Sequence, residues 1–164
     1  MKQIGIISDT HNFIDDKIKD FFKNTDVIFH AGDIGSTDVI EKLQEITKLY
    51  AVYGNIDNSK IRQDTKEFEL IKIEDITILM THIGGYPEKY TQNFYKKIKT
   101  ENPDLVITGH SHILKVIYDK KLKHLHINPG AYGNNGFHKV RTAIRLNIDA
   151  KKIKDLEILE IKRG

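Results

Sequence analysis

Five short segments of the chain carry side chains able to hold metal ions: Asp9-Thr10-His11, Gly32-Asp33, Gly54-Asn55, Thr81-His82 and Gly109-His110-Ser111-His112. They offer two carboxylates, one carboxamide and four imidazoles. There is no cysteine, so thiolate ligation and disulfide chemistry are excluded and any ion is held by nitrogen and oxygen alone. That donor mixture suits manganese, iron, cobalt, nickel or zinc and is poor for calcium or a thiophilic ion. In Asp-x-His and His-x-His one residue separates the donors. Side chains alternate sides along an extended stretch, so residues two apart face the same way. Gly32, Gly54 and Gly109 let the backbone turn sharply and leave room for a metal or a phosphate.

The elements that must bring these segments together are short. Ile4 to Ile7 reads as a buried strand stopped by Ser8, Asp9 and Thr10. Ile14, Ile18, Phe21 and Phe22 then share one helical face, with Asp15 and Asp16 at an acidic start. Val27 to Phe29 is a second strand. A second helix is expected from Asp38, with Glu41 completing a capping box and Val39, Ile40, Leu43 and Ile46 inward. Leu49 to Tyr53 is a third strand. A β-α-β-α-β order implies parallel strands with right-handed crossovers, and ligands of such sheets bind beyond the carboxyl ends of the strands. Asp9, His11, Asp33 and Asn55 all follow those ends, so the pattern predicts that they converge.

The second half reads as strands at Glu67 to Ile73 and Ile76 to Met80 around a turn at Glu74 and Asp75. A helix is expected from Pro87 to Lys99 with Tyr90, Phe94 and Ile98 inward. A strand at Leu105 to Thr108 follows. Further strands at Val116 to Tyr118, Leu122 to Ile127, Thr142 to Ile148 and Ile153 to Ile161 are expected to form a largely antiparallel sheet. The fold expected is α/β, with two packed mixed β-sheets flanked by helices in one domain over residues 1–164.

Composition narrows the function classes. With 26 basic against 23 acidic residues, the net charge of +3 is too mild to argue for a nucleic-acid or membrane partner. The N-terminal apolar run breaks at Ser8, too early for a signal-peptide core, and no stretch approaches the ~20 apolar residues of a membrane helix. The expectation is a cytoplasmic protein. Self-association into a homo-oligomer is left open.

The order D-x-H, G-D, G-N, H, G-H-x-H resembles the calcineurin-like metallophosphoesterase superfamily. More narrowly, SDTH, HAGDIG, YGNID, THIGGYP, GHSH and NPGA resemble the small bacterial and archaeal YfcE-like phosphodiesterases, over Met1 to about Arg145. The resemblance implies a four-layer α-β-β-α sandwich and two divalent ions, manganese first, with nickel, cobalt, zinc or iron as alternatives. One ion would take Asp9, His11, Asp33 and His112, and the other Asp33, Asn55, His82 and His110. Asp33 would bridge ions about 3.5–4 Å apart, with a hydroxide between them as nucleophile. The substrate implied is a small phosphate ester, nucleotide-derived at most as regards nucleic acid.

The motif departs from the superfamily at one place. Many members read G-N-H-D or G-N-H-E, where the histidine is thought to protonate the leaving group. Here the segment is Gly54-Asn55-Ile56-Asp57, and isoleucine carries no proton to donate. Asp33, Asn55 and Asp57 are the catalytic candidates, Asp57 by orienting a neighbour. Asn55, His138 and Arg141 are candidates for touching the substrate, Arg141 because guanidinium binds phosphate oxygens bidentately. A weakly active or inactive scaffold on the same fold is the alternative, as the retromer subunit of the superfamily exemplifies. His30 is read as a support or packing residue, Asn128-Pro129-Gly130 as a turn under the site, and His124 and His126 as structural.

Overall fold

The computed structural model describes residues 1–163. Strands β1 (Lys2–Ile7), β2 (Val27–His30) and β3 (Lys48–Ala51) are parallel, joined by helices α1 (Asp16–Phe22) and α2 (Thr37–Ile46). Two long C-terminal strands, β9 (Val140–Asp149) and β10 (Lys152–Lys162), complete this sheet in the order β10-β9-β1-β2-β3, with Ile6 opposite Ile144. The second sheet has the order β4-β5-β6-β8-β7. Its strands are β4 (Phe68–Ile73), β5 (Ile76–Thr81), β6 (Leu105–Ile107), β7 (Leu114–Asp119) and β8 (His124–Pro129).

Three apolar clusters between the layers define the sandwich. Ile4, Ile6, Phe29, Ile144 and Leu146 of the first sheet meet Ile78, Met80, Ile107 and Ile127 of the second, all fully buried. On the outer face of the first sheet, Ile7 and Ile28 pack with Ile18 and Phe22 of α1 and Val39 and Leu43 of α2. A short helix α3 (Ser59–Asp64) adds Ile61 to that cluster. On the outer face of the second sheet, Leu79 and Val106 pack with Phe94 and Ile98 of α4 (Gln92–Glu101). Each fully buried aliphatic or aromatic side chain contributes about 1.5–3 kcal/mol by leaving water. The alternation that sends Ile4 and Ile6 inward and Ile7 outward makes β1 the hub of both clusters.

Several expectations need correction. The strands after Leu105 do not make one antiparallel sheet. β9 and β10 join the first sheet, and in the second β5–β6 and β6–β8 are parallel. The reason is burial: β9 buries Arg141 to Ile144 without a break, which requires a central position, whereas β7 exposes Lys115 to Tyr118 and lies at an edge. The cap of α2 is Ser36 rather than Asp38, which instead pairs with Lys42 one turn on at 3.0 Å. α4 starts at Gln92 with Thr91 as its cap, not at Pro87, and α3 has no counterpart among the expected elements. Among the described residues no helix is long and apolar enough to cross a membrane.

Candidate metal centre

All five motif segments leave the carboxyl ends of strands. Asp9 and His11 follow β1, Asp33 follows β2, Asn55 follows β3, His82 follows β5, and His110 and His112 follow β6. The loops are held by backbone bonds between them: Asp9 N–H donates to Gly32 O at 2.9 Å and His11 N–H to Asp33 O at 3.0 Å. Asp9, His11, Asp33, His110 and His112 all adopt positive φ, between 44° and 76°. Left-handed backbone costs an L residue about 1–2 kcal/mol, so the surrounding contacts must impose it. Two glycines make the closeness possible. A Cβ on Gly54 would stand 2.0 Å from Oδ1 of Asp33, and one on Gly109 would stand 2.2 Å from Oγ of Ser8.

The donor atoms fall into two sets, each within 4.8 Å of one another: Asp9, His11 and His112, and Asp33, His82 and His110. Oδ2 of Asp33 lies between the sets, 3.5 Å from Nε2 of His11 and 3.3 Å from Nε2 of His82. Oδ1 of Asp9 is 3.2 Å from Nε2 of His112. Donors sharing an ion through bonds of about 2.0–2.2 Å lie roughly 3–3.5 Å apart, as these three pairs do, whereas Oδ1 of Asp9 is 4.0 Å from Nε2 of His11. Buried Oδ1 of Asp9 and Nε2 of His11 have no hydrogen-bond partner, in contrast to Oδ2 of Asp9, which accepts from Ser8 Oγ–H (2.6 Å) and His110 N–H (3.0 Å).

His82 provides the clearest test of whether a cation fits. Its Nδ1–H donates to the carbonyl of Ala31 at 2.7 Å, so in the neutral ring Nε2 carries a lone pair. That lone pair faces Oδ2 of Asp33 and, at 3.1 Å, Oδ1 of Asn55. Nε2 of His82 and Oδ2 of Asp33 are two acceptors turned toward each other, and they repel unless a proton or a cation lies between them. Protons act as the substitute. The contact with Asp33, against a desolvation cost, raises the pKa of His11. Burial, the largest single influence on His82, lowers its pKa, but the contact with Asp33 and the charges of Asp9 and Asp33 together outweigh it and raise the pKa. Burial works against the Asp33 carboxylate, but the two imidazoles hold its pKa well below the usual carboxylate range.

Supporting residues complete the frame. Burial pushes His30 down to about 4, so it is neutral. Its Nδ1 accepts from Gly32 N–H and its Nε2–H donates to Thr10 Oγ1, whose own proton goes to the carbonyl of Ile34. The carboxamide of Asn135 lies 3.2 Å from Nδ1 of His11, and rotation of that amide offers its oxygen to an Nδ1–H. Asn128 Nδ2 donates to Gly109 O (3.0 Å) and Ser111 Oγ (3.1 Å), holding the His110–His112 turn from below. His124 and His126 lie apart from this centre, joined to Tyr90 Oη at 2.8 and 2.9 Å. Ser8 and Asn135 were not singled out from the sequence. Ser8 adjoins a motif, but Asn135 carries no local signal.

One candidate from the sequence has another role. Arg141 does not reach the mouth of the site. It is buried, its Nε–H donates to Tyr132 O (2.9 Å), its NH2 group donates to Asp15 (2.9 Å), and its guanidinium stacks between Phe13 and Tyr132. Asp57 accepts from Ile34 N–H, Gly35 N–H and Gly54 N–H at 2.8–3.1 Å, so it orients the loops that carry Asp33 and Asn55. His138 does border the site, edge-on to His112 at 5.1 Å with Nε2 bonded to Gly133 O, and burial lowers its pKa. Ile56 is half-exposed, and its backbone N–H donates to Oδ1 of Asp33 at 3.1 Å.

Comparison with known proteins agrees with this geometry. The chain is 30% identical over 135 residues to a "Probable metallophosphoesterase" of Methanothermobacter thermautotrophicus, covering 78% of this chain and 76% of that one. A second "Probable metallophosphoesterase", from Methanocaldococcus jannaschii, is 31% identical over 115 residues, 66% of this chain and 58% of the relative. Among solved structures, a novel archaeal phosphodiesterase superposes with a TM-score of 0.71 at 26% identity, over 96% of this chain and 99% of that one. Zinc-complexed Vps29 from Entamoeba histolytica shares the fold, with a TM-score of 0.75 at 18% identity and 99% of each chain covered. The family model for the calcineurin-like phosphoesterase superfamily domain matches residues 1–151, and the chain belongs to that superfamily.

Proposed function

We propose that this protein hydrolyses a small phosphodiester, using two divalent cations held by Asp9, His11, Asp33, Asn55, His82, His110 and His112 within one domain over residues 1–164. The observation that carries the reading is the meeting of His82 Nε2 and Asp33 Oδ2, both on buried side chains, beside the exposed carboxamide of Asn55, acceptors that a cation would reconcile. The ligand set has only two carboxylates, which offset half the charge of two divalent ions. The centre therefore stays positive and attracts a phosphate ester. The donor types favour manganese, with nickel, cobalt, zinc and iron as alternatives. When bound, such a pair supplies the Lewis acidity that makes hydroxide available near neutral pH and offsets charge on the phosphoryl oxygens.

The chain's own residues do the rest. Asp33 would hold both ions, Asn55 would hold one of them and offer its amide N–H to the phosphoryl group, Ser8 and Asn135 hold Asp9 and His11 in orientation, and Asp57 fixes the loops that carry Asp33 and Asn55. The similarity to an archaeal phosphodiesterase supports a diester over a monoester. With isoleucine at position 56, no imidazole there donates a proton to the leaving oxygen, so the reading favours esters whose leaving group departs as an anion. The test is metal analysis of purified protein together with hydrolysis of bis(4-nitrophenyl) phosphate and 4-nitrophenyl phosphate. Two metal equivalents and faster diester cleavage are expected. A metal-loaded, folded protein without turnover on either ester would instead leave a scaffold on this fold.

A further inference from the structure

Beside the metal centre lies a cleft of about 530 Å³ bounded by His110, Ser111, His112, Ile113, Gly136, Phe137 and His138. One wall thus carries two of the proposed ligands, and the facing wall is the 133–139 loop. The composition of this cleft is unusual for a phosphate site. No lysine, arginine or carboxylate is among the residues that line it. The guanidinium of Arg163 is close to this loop, but it donates to the carbonyls of Gly136 (2.7 Å) and His138 (2.9 Å) and so braces the loop. Phe137 and Ile113 stand fully and largely exposed, at 104% and 63%, where burial against the molecule itself would be favourable. Gly136 is required by the approach of the two walls, since a Cβ there would stand 2.4 Å from Nδ1 of His112.

We propose that this cleft receives an uncharged, planar aromatic substituent of the phosphoester, an aryl group or a nucleobase, stacked on Phe137 and packed on Ile113. This inference rests on the metal-centre reading above and specifies its substrate class. The volume falls within the range of small-molecule sites, and an exposed aromatic ring is a stacking platform that tolerates any planar partner. Without a lysine or arginine in the lining, a second phosphate finds no fixed positive charge in the cleft. A nucleoside monophosphate diester or an aryl diester fits it, and a nucleoside polyphosphate tail does not.

The experiment is calorimetric binding of methylphosphonate and phenylphosphonate to the metal-loaded protein, independent of turnover. Phenylphosphonate should bind about tenfold more tightly, the lower end of what an aromatic platform supplies. Phe137→Ala should bring that ratio close to one, and Ile113→Ser should reduce it severalfold. Both side chains are exposed, so neither change threatens the fold. Tyr118→Ala, an exposed aromatic on β7, is the control and should leave the ratio unaltered. Methylphosphonate that fails to bind metal-loaded protein would overturn the metal-centre reading itself. Methylphosphonate that binds, with phenylphosphonate no tighter, would overturn the cleft assignment alone. An equal loss of both probes in Phe137→Ala would place Phe137 on the metal centre and likewise overturn it.

Discussion

Asp33 is the residue whose removal should separate the metal centre from the fold most cleanly. Its Oδ2 stands between the two donor sets, 3.5 Å from His11 and 3.3 Å from His82, and its Oδ1 accepts the Ile56 N–H. Replacing it with alanine takes one ligand from each proposed ion. Loss of an outer-shell partner alone lowers metal affinity about 10–100-fold, so losing a charged ligand to each of two ions should cost at least ~10²–10⁴ overall. The fold should survive. Its φ of 57° suits asparagine and aspartate better than alanine, which adds roughly 1 kcal/mol of strain, and the lost bond to Ile56 adds about 1–3 kcal/mol. That total is below the ~5–15 kcal/mol of a typical domain. Asp33→Asn keeps the size and the backbone preference while removing the charge, so it should bind metal between wild type and Asp33→Ala. Metal content after dialysis and melting curves with and without chelator measure both quantities. Two tightly held equivalents in a folded Asp33→Ala protein would refute the bridging position of this carboxylate.

The pH dependence of the metal-free protein should run opposite to that of the loaded one. His11 and His82 have raised folded pKa values, so their pairing with Asp33 and Asp9 contributes stability that is full below their unfolded value of 6.5 and lost as pH rises through the raised values. Metal requires those rings neutral, so metal affinity should rise over the same window; chelated protein that gains stability over that window would contradict the sign. For Ile56→His, the rate should become less dependent on leaving-group pKa across a series of aryl phosphodiesters, recovering up to ~10²-fold for the poorest leaving groups. A shallow wild-type slope unchanged by the substitution would mean that another acid is present. Arg141→Ala should lower stability by roughly 1.5–3 kcal/mol through its lost bonds to Asp15 and Tyr132, with KM for an aryl diester unaltered. A raised KM at unchanged melting temperature would restore Arg141 to the substrate site.

What the sequence by itself determined were the features written locally. The β-α-β-α-β opening, the strand ends and the donor segments after them are each visible within a few residues, because strand and helix periods and glycine turns are short-range properties. The rule that ligands gather beyond strand carboxyl ends then carries Asp9, Asp33 and Asn55 to one place without any coordinates. Other features depended on neighbours far along the chain. The alternation in β9 says that the strand is amphipathic or buried, but only its contact with β1 puts it in the first sheet. Pro87 looks like a helix start, yet Tyr90 is drawn to His124 and His126 and the helix waits until Thr91 can cap it. Arg141 and Asp57 carry charges suited to catalysis, and their assignment to structural bonds follows from partners such as Asp15 and Gly35 that no local pattern names. Charge and donor type are properties of a residue. Whether they are free for chemistry is decided by what the fold sets beside them.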